Sequence, residues 1–340
     1  MVLLPGKLPP QLLAELLAEE PPRDPRVLVG PRLGEDAAVL EPSERLLVAT
    51  TDPITFATDA IGYYAVTVNA NDIAVMGGVP RWFLATLLLP EQGTTSALVR
   101  DIFRQIRQTC RDLGVTLVGG HTEITLGVPR PLVIGHMLGE VARERLVTSA
   151  GAQVGDAVLL TKGFPLEGTA IIARECAAQL AERGCSAAEI ARWQQLLFTP
   201  GISVVRDAHT LLGAADVHAM HDPTEGGVAT GLWELAQASG VGLRIEARHL
   251  PLLPEGARLC ALFGLDPLGV IASGALLATV PAAQAAQAIA ACQAAGIPCA
   301  RIGTVVADAQ ELVLETEGER RPLPRFARDE IVKIFQAEGR

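Results

Sequence analysis

Carboxylates recur beside glycines and at the ends of apolar runs along this 340-residue chain. Gly34-Glu35-Asp36-Ala37-Ala38-Val39 is an acidic turn running into an apolar strand, and Thr50-Thr51-Asp52-Pro53 puts Asp52 where a strand ends. Asn69-Ala70-Asn71-Asp72 is a polar cluster inside a helical stretch that otherwise reads Val66, Val68, Ile73, Val75 and Met76. Asn and Asp are poor helix-interior residues, so their retention there points to a task. Gly119-Gly120-His121-Thr122-Glu123 follows another strand, and His221-Asp222-Pro223-Thr224-Glu225-Gly226-Gly227 stands between a strand and a helix.

Magnesium chemistry would join these segments. Mg²⁺ takes one or two carboxylates and fills its octahedron with water and phosphate oxygens. Carboxylates pooled at one sheet edge can therefore hold the metal and a triphosphate together, the metal's charge relieving their repulsion. The glycine pair at 226–227 opens a helix, where backbone N–H groups and the dipole favour an anion. Each segment alone has a plainer reading. Asp36 and Asp52 fit solvated turns, Asp222 and Thr224 fit helix caps, Lys162 fits a surface lysine and His121 an edge histidine. No GxxxxGK[ST] loop and no GxGxxG after a strand is present, so neither a P-loop nor a dinucleotide fold is supported.

The elements that must position these residues alternate in period. Apolar runs at 45–50, 82–89, 115–118 and 131–138 read as strands in the first half, with helices at 12–20, 58–76 and 95–113. The Gly-rich stretch Ser149–Asp156 reads as a boundary between domains at 1–150 and 151–340. Beyond it, helices are expected at 167–183, 187–197, 202–212, 227–238 and 282–295. Strands are expected near 157–161, 216–220, 242–246, 274–280, 300–306 and 311–315. The class is α/β (α+β), in two domains.

Composition narrows the function. The net charge is −10 and 49% of residues are hydrophobic, which argues against nucleic-acid or membrane-surface binding and against wholesale disorder. No apolar run is long enough to span a bilayer, and Met1–Leu17 does not read as a signal peptide. The six cysteines show neither zinc nor dithiol spacing, so a reducing cytoplasm is expected.

The order GEDAAVL, ATTDPITF, NANDIAVMGGVPRWF, LVGGHTEIT, HDPTEGGVATGLWELAQASGVGL resembles the aminoimidazole ribonucleotide synthetase (PurM-like) superfamily. Within it, the resemblance is to the HypE-type hydrogenase maturation proteins, and it covers nearly the whole chain. The resemblance implies an N-terminal α/β domain whose strands form a barrel shared across a homodimer, a C-terminal α/β domain, and an ATP cleft. It implies Asp36, Asp52 and Asp72 as the Mg²⁺ and triphosphate carboxylates, supported by Asn69 and Asn71. Asp222, Thr224, Gly226 and Gly227 would form the second-domain side. Lys162, by its position just after the strand at 157–161 and not by the resemblance, is a further candidate phosphate contact.

Departures from the pattern matter too. His121 and Glu123 stand where HypE-type proteins carry an Asp and a Lys, Ser273 stands for an acidic residue, and Glu225 for an Arg. No cysteine follows Cys299, so a terminal thiolate acceptor is not expected. The expected activity is ATP-dependent phosphoryl transfer to, or dehydration of, an amide-type or small-molecule acceptor, with a maturation-type protein partner conceivable. His121, Glu123, His221 and Glu225 are the candidates for proton transfer. The alternatives are a kinase of the thiamine-monophosphate-kinase type and a non-catalytic nucleotide-binding dimer.

Overall fold

The computed structural model describes residues 27–29, 34–35, 38–41, 44–55, 59–316 and 319–337. Asp36 and the expected helix at 12–20 lie outside them. The chain divides into two compact units. One holds Val27–Val29 and the described residues from Ala38 to Leu146, the other Gly34, Glu35 and those from Val147 to Ala337.

The first unit is a six-stranded sheet backed by two helices. In chain order its elements are β1 (Val27–Val29), β2 (Ala38–Leu40), β3 (Leu46–Ile54), α1 (Ile61–Val75), β4 (Val79–Pro90), α2 (Ser96–Asp112), β5 (Thr116–Thr125) and β6 (Leu132–Val141). The strand order is β1-β2-β3-β6-β4-β5. Every pair is antiparallel except β4–β5, whose parallel return needs the α2 crossover.

Helix α1 is buried on all sides, which is why its apolar residues show no single stripe. It lies against the inward face of β6, where Val133, Gly135, Met137, Gly139 and Val141 alternate with half-buried neighbours. Two of those positions must be glycine. A Cβ on Gly135 would stand 2.3 Å from Asn69 Nδ2 and 2.8 Å from Ala65 O, and one on Gly139 would stand 2.3 Å from Ile73 Cγ2. Helix α2 has the opposite character, burying only the side carrying Ile102, Ile106, Thr109 and Cys110.

Two strands run further than expected. β3 continues through Asp52 and Pro53 to Ile54; among the described residues β2 pairs only with Leu47–Ala49, so Pro53 has no partner strand on that side and its missing N–H costs no ladder bond there. β5 continues through the glycines to Thr125. Gly120 permits this: its φ is +143° and a Cβ there would stand 2.0 Å from Ala85 O. His121 and Glu123 are therefore strand residues.

The second unit has a seven-stranded sheet, ordered β13-β12-β9-β11-β7-β10-β8. Its elements in chain order are β7 (Ala157–Thr161), α3 (Leu166–Glu175), α4 (Ala177–Glu182), α5 (Ala187–Gln195), α6 (Val205–Ala214), β8 (Ala219–His221), α7 (Gly227–Ser239), β9 (Gly242–Glu246), α8 (Pro254–Phe263), β10 (Leu277–Val280), α9 (Ala285–Ala294), β11 (Cys299–Val306), β12 (Leu312–Thr316), β13 (Glu319–Pro322) and α10 (Val332–Ala337). One core joins the sheet to α7 through Val158, Leu160, Leu232, Leu235, Leu243 and Leu277. A second is mostly helical, with Ile172, Leu180, Trp193, Leu259, Val270 and Ile334. The expected helix at 167–183 is two helices that turn at Cys176 (φ −109°, ψ 23°); both then reach the second core, α3 through Ile172 and α4 through Leu180.

The close seating of α1 on β6 makes a prediction. Gly135→Ala is expected to cost about 1–3 kcal/mol in urea unfolding, because backbone as well as the Asn69 amide stands in the way. A change under about 0.5 kcal/mol, the surface-substitution range, would show that α1 is free to recede.

Candidate functional site

In the first unit the sheet and its buried helix bring three of the expected residues together. Thr50 and Asp52 are two apart on β3 and share a face; Asn69 and Asp72 are three apart on α1 and share another. The two faces meet. Thr50 Oγ1 donates to Asp72 Oδ2 at 2.6 Å, and the Asp52 N–H donates to Asn69 Oδ1 at 3.0 Å. Asn69 Nδ2 in turn donates to Ala65 O at 2.8 Å, and Thr51 Oγ1 donates to Gly135 O on β6 at 2.8 Å.

Asn69, Asn71 and Asp72 are all buried, Asp72 with 6% exposure, whereas Asp52 is half-buried. Buried polar groups are nearly always bonded, and here the bonds fix the Asp72 carboxylate and the backbone of Asp52 on neighbouring elements. Among the described residues no three His, Cys, Asp or Glu side chains gather into a metal cage. A pair of carboxylates with a nearby hydroxyl is instead the donor set that Mg²⁺ accepts, its remaining positions going to water and phosphate.

His121 and Glu123 are elsewhere in this unit. They are bonded to each other (Nε2 to Oε2, 3.3 Å) on exposed β5. Strands β6 and β4 lie between β5 and β3, a separation of roughly 14 Å at the usual strand spacing. The expected grouping of these two residues with Asp52 and Asp72 is therefore not made within one unit. A 430 Å³ cavity between α2 and β4–β5, lined by Phe103, Ile106, Leu117 and Gly119 among others, has His121 in its wall.

In the second unit the His221–Gly227 segment folds as a turn between β8 and α7, but its groups face inward. His221 Nε2 bonds Glu234 Oε2 of α7 at 3.0 Å, both side chains buried. The two glycines take φ of +81° and +67°, and a Cβ on Gly227 would stand 2.4 Å from Leu268 O. Their amides were expected to offer an anion site. Instead the Gly226 N–H donates to Asp329 Oδ2 at 2.7 Å, and the Gly227 N–H to Thr224 O at 3.0 Å. The protein's own carboxylate sits where a phosphate was expected. Asp222 is buried, while Thr224 and Glu225 are half-buried at the mouth of the turn.

Lys162 also differs from expectation. Its φ is +54°, which turns the chain after β7, and the side chain runs inward to Asp207 (Nζ to Oδ2, 3.1 Å) with only 6% exposure. Its ammonium also donates to the carbonyls of Gly201 and Ser203, and Thr161 Oγ1 donates to Asp207 Oδ1 at 2.7 Å. Burial lowers the lysine's pKa, partly offset by Asp207. An ammonium held by three protein oxygens is a structural anchor in this arrangement.

Two acids that sequence reading missed surround the same turn. Asp329 is pushed up to about 6, mainly by burial. Glu167 is pushed up to about 7 by burial, with Asp329 and Glu225 adding to the rise. For Glu167, the signal in the sequence was an acid placed in the first turn of an apolar helix.

Comparison with known proteins follows the geometry. The AIR synthase related protein N-terminal domain matches residues 34–141 and the C-terminal domain matches 153–315. The chain belongs to the AIR synthase related family. Carbamoyl dehydratase HypE of Rhodobacter capsulatus is 32% identical over 281 residues, which cover 80% of this chain and 79% of that protein. Selenide, water dikinase of Pelobacter propionicus is 30% identical over 332 residues, covering 86% and 89%. A crystal structure of HypE in complex with ATP aligns with a TM-score of 0.71 at 24% identity, over 94% of this chain and 91% of that one. The fold is the two-domain PurM-like α/β architecture.

The Lys162 anchor is testable. Lys162→Met would leave Asp207 buried without its partner and is expected to cost about 3–5 kcal/mol in urea unfolding. Lys162→Met/Asp207→Leu should recover most of that loss. A single variant within about 1 kcal/mol of wild type, the range of exposed pairs, would remove the anchoring role.

Proposed function

We propose that this protein is an ATP- and Mg²⁺-dependent enzyme that transfers a phosphoryl group to, or dehydrates, an amide-type or small-molecule acceptor, and that it works as a homodimer. The observation that carries the reading is the clasp of Thr50 to Asp72 and of Asp52 to Asn69, in a chain whose relatives include HypE proteins and selenide, water dikinases.

Asp52 and Asp72 would hold the metal, with Asp36 joining from the acidic turn before β2. The bound Mg²⁺ supplies charge neutralisation for the transferring phosphoryl group. The chain's own residues do the positioning. Asn69 keeps the carboxylate-bearing helix and strand in register, and Asn71, buried on the same helix, would support the carboxylates. Asp222, Thr224, Gly226 and Gly227 form the nucleotide's contact on the second unit, by shape and side chain, since the glycine amides are engaged. Glu225, half-buried at that turn, and the His121–Glu123 pair would accept or return the acceptor's proton. His221, bonded in the core to Glu234, orients the turn.

The dimer reading rests on β5. Among the described residues its edge is unpaired, and it carries Val118 and Ile124, which with Leu126 are the exposed apolar residues of this edge (51%, 61% and 77%). A long apolar edge left open invites pairing with a second chain. The acceptor reading rests on the cysteines, of which five are buried and Cys299 is half-buried, so no sulfur of the described residues is presented as an acceptor.

Calorimetry of Mg-ATP binding tests the site. Asp72→Asn is expected to weaken binding by about 2–3 kcal/mol, some 30- to 150-fold, with unfolding stability close to wild type. Equal affinity in both proteins would sink the site. Turnover of ATP that rises with an added amide or carboxylate acceptor separates the enzyme from a binding module, which would bind without hydrolysis.

A further inference from the structure

Helix α2 carries its arginines in a row. Arg100, Arg104, Arg107 and Arg111 recur at intervals of four, three and four. At 3.6 residues per turn they fall within about 60° of arc, and they run roughly 16 Å along the helix. The buried side of α2 holds Ile102, Ile106, Thr109 and Cys110, whereas all four arginines are exposed. Two half-buried apolar side chains, Val99 and Phe103, border the row. The six together line a 570 Å³ hollow in the surface.

Contacts among the described residues do not account for this row. Like charges four apart on a helix repel and weaken it. Arg104 bonds Asp101 and Arg111 bonds Gln108, while Arg107 lies over the Phe103 ring, 5.5 Å from its centre. Among the described residues Arg100 and Arg107 meet no carboxylate. Elsewhere the same residue type is matched to acids: Arg81 to Glu140, Arg244 to Glu311, Arg258 to Glu189 and Arg320 to Glu315. α2 thus sets four arginines against two aspartates in a chain whose net charge is −10. The sign of the surface is reversed at one place.

We propose that this row is the docking surface for an acidic amphipathic helix of a second protein. That helix lies along α2, its carboxylates at the same four-three-four spacing and its apolar side against Val99 and Phe103. The spacing is that of a seam between two helices, and a guanidinium pairs a carboxylate through two parallel hydrogen bonds. Phosphate polymers and anionic membranes fit less well, because a protein of this net charge repels them over the rest of its surface. Exposed ion pairs are individually weak and screened by salt, so the contact is a transient one.

The test uses the full chain and a fluorescein-labelled helical peptide with glutamates at four-three-four spacing and leucines on the adjoining flank, read by anisotropy. Binding is expected, and it should weaken about tenfold between about 0.05 and 0.5 M NaCl as the screening length shrinks. Arg100→Gln/Arg107→Gln removes the two arginines that meet no carboxylate. It should bind about five- to tenfold more weakly, the worth of two exposed ion pairs, with an unchanged urea midpoint. A peptide of the same composition with its glutamates spread around the helix should bind wild type no better than the first peptide binds that variant.

Failure of the first peptide to bind, equal binding of the two peptides, or an unaltered affinity in the double variant overturns the proposal. Should that variant not fold, the two peptides compared on wild type decide. A single-stranded oligonucleotide of equal charge that binds more tightly than the peptide, and is lost in the same variant, makes the row a phosphate surface and overturns the acidic-helix assignment. A changed oligomeric state of the double variant in sedimentation makes the row a contact between copies of this chain and overturns it equally.

Discussion

The hydrogen bond from Thr50 to Asp72, paired with the one from Asp52 to Asn69, is what the first unit is built around. A helix buried on every side has no solvent to satisfy a carboxylate or an amide, so each polar group it keeps must find a partner in the sheet. Those partners exist only if α1 approaches β6 and β3 closely, and that approach depends on Gly135 and Gly139 having no side chain. Clearance on β6, register on β3 and the polar residues of α1 form one constraint. Satisfying it leaves the Asp72 carboxylate and the Asp52 backbone bonded across two elements packed closely together.

The second unit solves a different problem. Its turn at Asp222–Gly227 has glycine amides that would invite an anion, and the protein fills one of them with Asp329. Acids then accumulate around the turn in surroundings that favour the neutral form, so that Glu167 and Asp329 are both raised by burial. Across the same sheet, Lys162 and Asp207 form a buried pair that is hydrogen-bonded on both sides. Such a pair does little for net stability but penalises loss of either member. One unit thus presents acids, whereas the other stores its charges internally.

Much of this was legible in residue order. The glycine-flanked acidic segments gave the family, and the polar cluster within an apolar helix gave Asn69 and Asp72. The alternation of periods gave the class and most elements. Helix α8 was missed although Pro254 opens it and Gly264 closes it with a positive φ, because its apolar face is short. The tail of β5 was missed because two glycines read as a turn, whereas Gly120 there marks a close approach to Ala85.

The sequence by itself determined most of the elements, from their period, and its order of motifs carried the family resemblance, which implies Asp52, Asn69 and Asp72 as one set. The tertiary structure alone decided that Lys162 faces Asp207, that Asp329 holds Gly226 across 103 residues, that Glu167 meets Ser273, and that two strands stand between the strand of His121 and Glu123 and that of Asp52. The reason is physical. Side-chain period fixes which face a residue occupies, but which partner waits on the other side depends on how elements far apart in the chain pack together.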